Sequence, residues 1–383
     1  MDPSRISLRH LRAFLAVAEA GSATGAATAI NLTQSAVTQA IARLERDLAL
    51  PLFQRLPRGM ALTEAGRMLA IRAAAVFRLI EGPPPSTVQM NAFLAVADAG
   101  TYSAAAAATG LSESALHRAV SDLSSGTRDG VLERRGRGLA LTAKGRGLAR
   151  RLRLGRAELR SAIAELAELE GRDVGRIVVG AMPLSRARPL PAALAAFASV
   201  RPLVDVAIVE GSYVDLVGPL RDGQIDIMIG ALRPASVAAD LLQTPLFDDH
   251  PVITGRPGHP LSTRPSPPTA EDLMAFPWIV PAEGTPLRAQ WNAMFAAVGA
   301  TPPRVPIECG SMVLIRDLLV RGDYLTLLSP SQIAVELRSG WLQSVATPPG
   351  DLRRTIGVTV RSDWRPTKAQ RQFLQILVAE ADI

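Results

Sequence analysis

LTQSAVTQAIARLE, Leu32 to Glu45, is the stretch whose reading decides the fold. Thr33 stands where an N-cap hydroxyl accepts from an orphan backbone N–H. Behind it Val37, Ala40, Ile41 and Leu44 recur at helical spacing and predict a core-facing stripe. Gln34, Ser35, Thr38 and Gln39 fall on the opposite side. That outer face is small, polar and uncharged, so it can approach base edges in a DNA major groove without desolvating a charge. Gln suits adenine, and Ser and Thr suit several partners. An ordinary solvated helix face gives the same pattern, so the flanks decide.

Upstream, Leu8, Leu11, Phe14, Leu15 and Ala18 form the stripe of a first helix. Gly21-Ser22 breaks it, a second helix is expected over Ala23 to Ile30, and Asn31-Leu32 turns into the decisive stretch. Downstream, LALPLFQR, a turn at Pro57-Arg58-Gly59 and ALTEAG read as a small β-wing. Helix, short helix, turn, helix is the order in which the last element reads the groove. Arg43 on that helix and Arg55 and Arg58 on the wing are placed to meet phosphate or a narrow minor groove.

With FLAVAEAGS, LTQSAVTQAIARLERDLALPLFQR and PRGMALTEAG in this order, residues 5 to 67 resemble the winged helix-turn-helix of LysR-type transcriptional regulators. One departure is Ala49, where the family usually places glycine, which implies a less tight loop beside the wing.

A near-copy follows. At a constant offset and without a gap, residues 13 to 67 align on residues 92 to 146, with roughly two positions in five identical. Phe14 maps to Phe93, Gly21 to Gly100, Leu44 to Leu123 and Gly66 to Gly145, so a second winged helix is expected. Its outer face differs: Gln34 becomes Glu113, Thr38 becomes His117, Gln39 becomes Arg118 and Arg43 becomes Asp122. Carboxylates near phosphates are repelled, which argues against a second groove reader. Arg134, Arg135 and Arg137 on the second wing argue for backbone contact, with Arg118 as a further auxiliary contact. Auxiliary DNA contact and a dimerising or spacing role both stay open.

Gly82-Pro83-Pro84-Pro85-Ser86 separates the copies as a semi-rigid spacer. After the second wing, Leu148, Leu152, Leu159, Ala162, Leu166 and Leu169 keep heptad spacing, with Gly155 a weak point in the seam. This resembles the linker helix through which LysR-type regulators dimerise; a helix packed on its own domain is the alternative. Charge divides here. Residues 1 to 160 hold 22 Lys+Arg against 12 Asp+Glu, a balance of +10, whereas residues 161 to 383 hold 20 against 23, a balance of −3. A basic part joined to a near-neutral one fits nucleic-acid binding by the first alone.

From Gly171, strands alternate with helices: Arg176 to Gly180, Val204 to Val209 and Ile225 to Ile229, then PWIVP, VPIEC, YLTLLS and Thr355 to Val360. Near-continuous apolar strands predict a parallel sheet covered on both faces. Two α/β lobes joined by crossing strands fit this order. With GRPGHPL at Gly255 to Leu261, this half resembles the LysR effector-binding region, built like a periplasmic solute-binding protein with a ligand cleft between lobes. His259 in that motif reads as a turn residue. Ser185, Thr285, Ser311 and Ser329 each stand where a strand hands over to a helix, where open α/β sheets bind ligands and helix N-termini favour anions. Taken singly, each is more simply a plain N-cap, and it is the contribution from both lobes that points to a cleft.

The expected fold class is α/β: two winged helix-turn-helix units (1–82 and 87–145), a linker and dimerisation helix (142–171) and a two-lobed effector domain (174–383). Lobe I takes about 174–250 and 352–383, and lobe II about 251–351. One cysteine, Cys309, excludes a disulfide framework and reads as a packed thiol. His10, His117, His250 and His259 are dispersed without metal-ligand spacing, and no phosphate-binding or nucleophile motif occurs. Neither an enzyme nor a cofactor is expected. Arg5, Arg9 and Arg12 before AFLAVAEAGSA mimic a signal peptide, but Glu19 interrupts the run and NAFLAVADAGT repeats it internally at Asn91. No stretch spans a bilayer, so a cytoplasmic protein without membrane contact is expected. The expected partners are double-stranded operator DNA, a small-molecule effector that is an organic anion, and further copies of the chain as homodimer or homotetramer. RNA polymerase is a further candidate partner. A protein-interaction module built from degenerate winged helices is the competing reading, separable by a salt-sensitive DNA shift assay; an enzyme fused to a DNA-binding head would reveal itself by turnover.

Overall fold

The computed structural model describes residues 6–56, 59–80, 82–124, 130–185 and 189–381. Ser7 opens helix α1 (Leu8–Ala20) by accepting from His10 N–H, and Gly21 closes it in the left-handed region at φ 67°. Ser22 and Thr33 cap α2 (Ala23–Ala29) and α3 (Gln34–Leu48) in the same way. The turn between them uses Asn31 at φ 54°, a conformation that a short polar side chain tolerates. Strands β1 (Phe53–Leu56) and β2 (Gly59–Leu62) form the antiparallel wing, and α4 (Glu64–Leu79) follows.

The duplicate folds alike: α5 (Thr87–Ala99), α6 (Tyr102–Thr109), α7 (Glu113–Ser124), β3 (Leu132–Arg135), β4 (Gly138–Leu141) and α8 (Ala143–Leu169). Even single hydrogen bonds recur. Met60 N–H donates to Gly21 C=O at 2.9 Å, and Leu139 N–H donates to Gly100 C=O at 2.7 Å. A Cβ on Gly66 would lie 2.2 Å from the Leu52 oxygen, and one on Gly145 would lie 1.9 Å from the Val131 oxygen. Only glycine admits such an approach, which is why both copies keep it.

The heptad stripe of α8 packs against its own chain, the alternative that stayed open beside a dimerising helix. Leu152, Leu159, Ala162 and Leu166 are buried in one core with Leu69, Ala73, Val76 and Ile80 of the α4 segment. Each fully buried leucine contributes about 1.5–3 kcal/mol. At Gly155, expected to be a weak point, an added Cβ would lie 3.5 Å from Ile80 and 3.7 Å from Val76, so the seam is closed there by α4 side chains. The duplication supplies a helix equivalent to α8's own amino-terminal half, and it occupies the stripe. At the end of the seam Leu169 remains 38% exposed.

Lobe I comprises β5 (Gly175–Ala181), α9 (Pro189–Val200), β6 (Val204–Glu210), α10 (Tyr213–Arg221), β7 (Ile227–Ala231) and β8 (Leu241–Asp249). The chain crosses into β9 (Val252–Gly255), α11 (Ala270–Met274), β10 (Ile279–Val280), α12 (Pro286–Ala296), β11 (Ile307–Glu308), α13 (Met312–Arg321), β12 (Thr326–Leu328), α14 (Ala334–Arg338) and β13 (Gln343–Ala346). It returns as β14 (Arg354–Arg361) and α15 (Lys368–Ala381). The lobe I sheet runs β6-β5-β7-β14-β8. It is mixed, not purely parallel as expected: β5 pairs in parallel with β6 and β7, but the returning β14 is antiparallel to β7 and β8. In lobe II, β12 and β13 flank β9, while β10 pairs in parallel with β11 and bonds to the β12 segment through Ile279 N–H to Leu325 C=O. Both crossings meet at a partly buried ion pair, Arg354 Nε to Asp249 Oδ2 at 2.7 Å.

Candidate DNA interface and effector site

Helix α3 buries Val37, Ala40, Ile41, Leu44 and Leu48, which leaves Thr33, Gln34, Ser35, Thr38 and Gln39 exposed on one face. Thr33 Oγ1 accepts from Ala36 N–H at 3.2 Å and lies 3.0 Å from Ser35 Oγ. Thr38 donates to the Gln34 carbonyl at 2.9 Å, so its free lone pairs point outward as acceptors. Arg43 pairs with Asp47 at 3.0 Å on the exposed surface. Such a pair is worth about 0–1 kcal/mol, little to set against a phosphate contact. Arg55 lies on β1 in register with Met60, and Arg58 falls outside the described residues.

On the second unit Glu113, His117, Arg118 and Asp122 are exposed on α7. The His117 ring sits 5.2 Å from that of Tyr102. Arg134, Arg135 and Arg137 are exposed around the β3–β4 turn.

The four hydroxyls in the effector half divide. Thr285 accepts from Arg288 N–H and donates to Ala282 C=O at 2.9 Å, so it caps α12. Ser185, fully buried after β5, donates to Met182 C=O at 2.8 Å. Ser329, also buried, accepts from Ser331 N–H at 3.2 Å. Ser311 is exposed at the start of α13, and its side chain makes no cap bond among the described residues. Thr285, Ser311 and Ser329 follow the adjacent strands β10, β11 and β12, which gathers them at one end of lobe II; Ser185 stands at the same end of β5 in lobe I. His259 is buried, accepts from Leu261 N–H through Nδ1 at 3.2 Å and packs on Phe276, as a turn residue should.

Residues 170–382 match the family model described as LysR substrate binding domain, and residues 8–67 and 87–146 each match that of the bacterial regulatory helix-turn-helix protein, lysR family. The chain belongs to the LysR family. This LysR-type regulator is 35% identical over 375 residues to the HTH-type transcriptional regulator GalR of Pseudomonas putida, covering 94% of both chains. It is 32% identical to an SDS degradation transcriptional activation protein of a Pseudomonas species, over 72% of this chain and 89% of that one. Its fold is similar to a full-length OxyR variant from Pseudomonas aeruginosa, with TM-score 0.57 and 21% identity over 77% of this chain and 94% of that one. CbnR, a LysR family transcriptional regulator, gives TM-score 0.53 and 21% identity over 76% and 98%. These comparisons make the chain a DNA-binding transcriptional regulator with an effector-binding domain, in a family of regulators and not of enzymes. No helix among the described residues is long and apolar enough to cross a membrane.

Two arginines near the strand ends of this regulator were not singled out from sequence. Arg288 on α12 is buried, contacts Glu308 at 3.0 Å and Glu283 at 2.7 Å, and lies over the Trp291 ring. Arg233, just past β7, lies 4.6 Å over the Tyr213 ring, and neither its Nε nor the Tyr213 hydroxyl has a hydrogen-bond partner among the described residues. Burial pulls the Arg233 pKa below the ordinary arginine value, with Tyr213 opposing. The strand-end rule that selected the serines also covers Arg233, had charged residues been counted with it. A cavity of about 460 Å³ lies at the other end of the lobe I sheet, between α8 and the starts of β5 and β6. Its Arg201 is already bonded to Glu168 and Asp173, which makes it a poorer anion site than the strand ends.

Proposed function

We propose that this LysR-type regulator reads double-stranded operator DNA by placing α3 in the major groove, with Gln34, Ser35, Thr38 and Gln39 on base edges. Arg43, Arg55 and Arg58 hold phosphates. The observation that carries the reading is the capped, exposed and uncharged face of α3 opposite a fully buried stripe. A small organic anion binds between the lobes at the strand ends, near Ser311, Ser185, Thr285 and Ser329. Arg233 supports the sign of that charge, because its partly buried guanidinium has no carboxylate partner among the described residues, while Arg288 offsets Glu283 and Glu308. Ligand-induced changes in lobe geometry reach the DNA-binding units through α8, which is tied to lobe I by Arg153 to Asp222 at 2.8 Å and Arg160 to the Gly223 carbonyl at 3.2 Å. The protein acts in the cytoplasm, with RNA polymerase as a partner, and its homodimers or homotetramers form through surfaces other than the filled α8 seam. Gln34→Ala tests the reading against genomic fragments retained by the purified protein. The variant loses about 1–3 kcal/mol on the preferred fragment and relaxes base choice. Equal loss on specific and random DNA overturns it.

A further inference from the structure

Helices α4 and α8 occupy equivalent positions in the two copies, and they pack antiparallel. Arg72 of α4 meets Glu158 and Glu165, whereas Val76 and Ile80, further along α4, lie against Gly155, earlier in α8. Equivalent helices crossing antiparallel are related by a local two-fold axis, the relation that a two-fold DNA-binding head has to its paired half-sites. One continuous core joins the units, including Phe14 and Val37 from the first and Phe93 and Leu116 from the second. The chain therefore holds two winged helices in a fixed pair within itself.

The second reading helix is built like the first. Ser112 Oγ accepts from Ala115 N–H at 3.2 Å and lies 3.1 Å from Ser114 Oγ, repeating the Thr33, Ala36 and Ser35 arrangement. Its exposed face carries different chemistry. Arg118 can span guanine O6 and N7, and Glu113 can accept from cytosine N4–H, whereas Gln34 and Gln39 of α3 suit adenine. The exposed Arg134, Arg135 and Arg137 of the second wing offer three positive charges to phosphates against the two carboxylates, Glu113 and Asp122, of the α7 face.

We infer that one chain is a complete two-headed DNA reader: α3 and α7 occupy two dissimilar half-sites of one asymmetric operator, with G·C pairs in the half read by Arg118 and Glu113. This rests on the reading of α3 as a base reader. The test is selection of duplexes from a random-sequence library on the purified full-length protein and on two exposed-face variants. The expected motif has two unlike halves. Gln34→Ala relaxes base choice in one half only, and the Glu113→Ala, Arg118→Ala double variant relaxes the other only, each with about a tenfold or greater fall in preference for the selected bases. A palindromic motif in which Gln34→Ala relaxes both halves, or a double variant that leaves every position unchanged, overturns the two-headed reader while α3 stands. Failure to select any motif overturns both.

Discussion

Arg72 Nε donates to Glu165 Oε2 at 3.0 Å, joining the first winged unit to a residue 93 positions downstream on α8. The same guanidinium contacts Glu158 at 2.9 Å and the Arg365 carbonyl at 3.0 Å, with only 4% of the side chain exposed. One buried cation thus ties together α4, α8 and the loop before α15 of the effector domain. Removing it takes from Glu158 and Glu165 the cation that both carboxylates share in a largely buried seam.

Breaking such a buried network costs about 3–5 kcal/mol. Arg72→Ala is expected to speed amide hydrogen exchange in α4 and in the facing part of α8, while exchange in β5 stays as it was. Parent-like protection in α4 would show that the apolar seam alone sets the pairing.

On the second wing, Arg135 and Arg137 are exposed around the β3–β4 turn, away from the α7 face that would meet base edges. The double change Arg135→Ala, Arg137→Ala is expected to lower DNA affinity without altering sequence preference. Measured against salt, the slope of log affinity falls by about 2, one for each phosphate that the wing no longer neutralises. Unchanged affinity at low salt removes this wing from the DNA interface.

The winged units were legible in sequence because their information is local: Thr33 caps, Val37 and Leu44 pack, and Gly66 permits one close approach. The partner of α8 was not, since heptad spacing specifies an apolar stripe and says nothing about whether its cover comes from another chain or from α4. Arg72 to Glu165 is a pairing that only the folded chain brings together. The sheet direction failed for a related reason. β14 has the same apolar pattern whether parallel or antiparallel, and β8, interrupted by Pro245 and polar residues, gave little strand signal. In the effector half, strand ends could be located but not the commitments of their side chains. Thr285 is spent on its cap, and Arg288 is paired across 20 residues.

Ala49 ends α3 at φ 57°, ψ 26°. A left-handed conformation costs an L-residue about 1–2 kcal/mol, and glycine's greater unfolded-state freedom returns about 0.4–1 of that. Ala49→Gly is therefore expected to stabilise the first unit by about 0.5–1 kcal/mol, read as slower exchange of the α3 amides. Faster exchange would mean that the alanine methyl contributes packing that outweighs its strain.

Burial holds the His259 imidazole below its ordinary pKa of 6.5, against an opposing effect from Asp323. Its neutral form accepts from Leu261 N–H. The stability linked to this group is present above pH 6.5 and is lost as pH falls through that value toward the depressed folded pKa. Urea unfolding of lobe II, followed by the fluorescence of the buried Trp278 and Trp291, is expected to shift to lower urea between pH 7.5 and 5.5. His259→Asn keeps an acceptor for Leu261 and removes the titration, so its shift is smaller. An identical shift assigns the pH dependence to other groups.

Ser311 offers the sharpest test of the effector site. Unlike Thr285, it makes no cap bond, and it is exposed where α13 begins, so losing its hydroxyl leaves no buried group unsatisfied. Ser311→Ala is expected to leave folding and effector-free DNA affinity unchanged. A hydrogen bond to a charged ligand contributes about 1.5–3 kcal/mol, so effector affinity falls roughly tenfold to a hundredfold. Arg233→Gln removes the charge from the opposite lobe and weakens small carboxylates more than neutral analogues of the same shape. The measurement is a thermal-shift screen of small organic anions on the parent protein, followed by titration of the best stabiliser into each variant. If both variants bind it as tightly as the parent does, the effector is held elsewhere and the strand-end assignment fails.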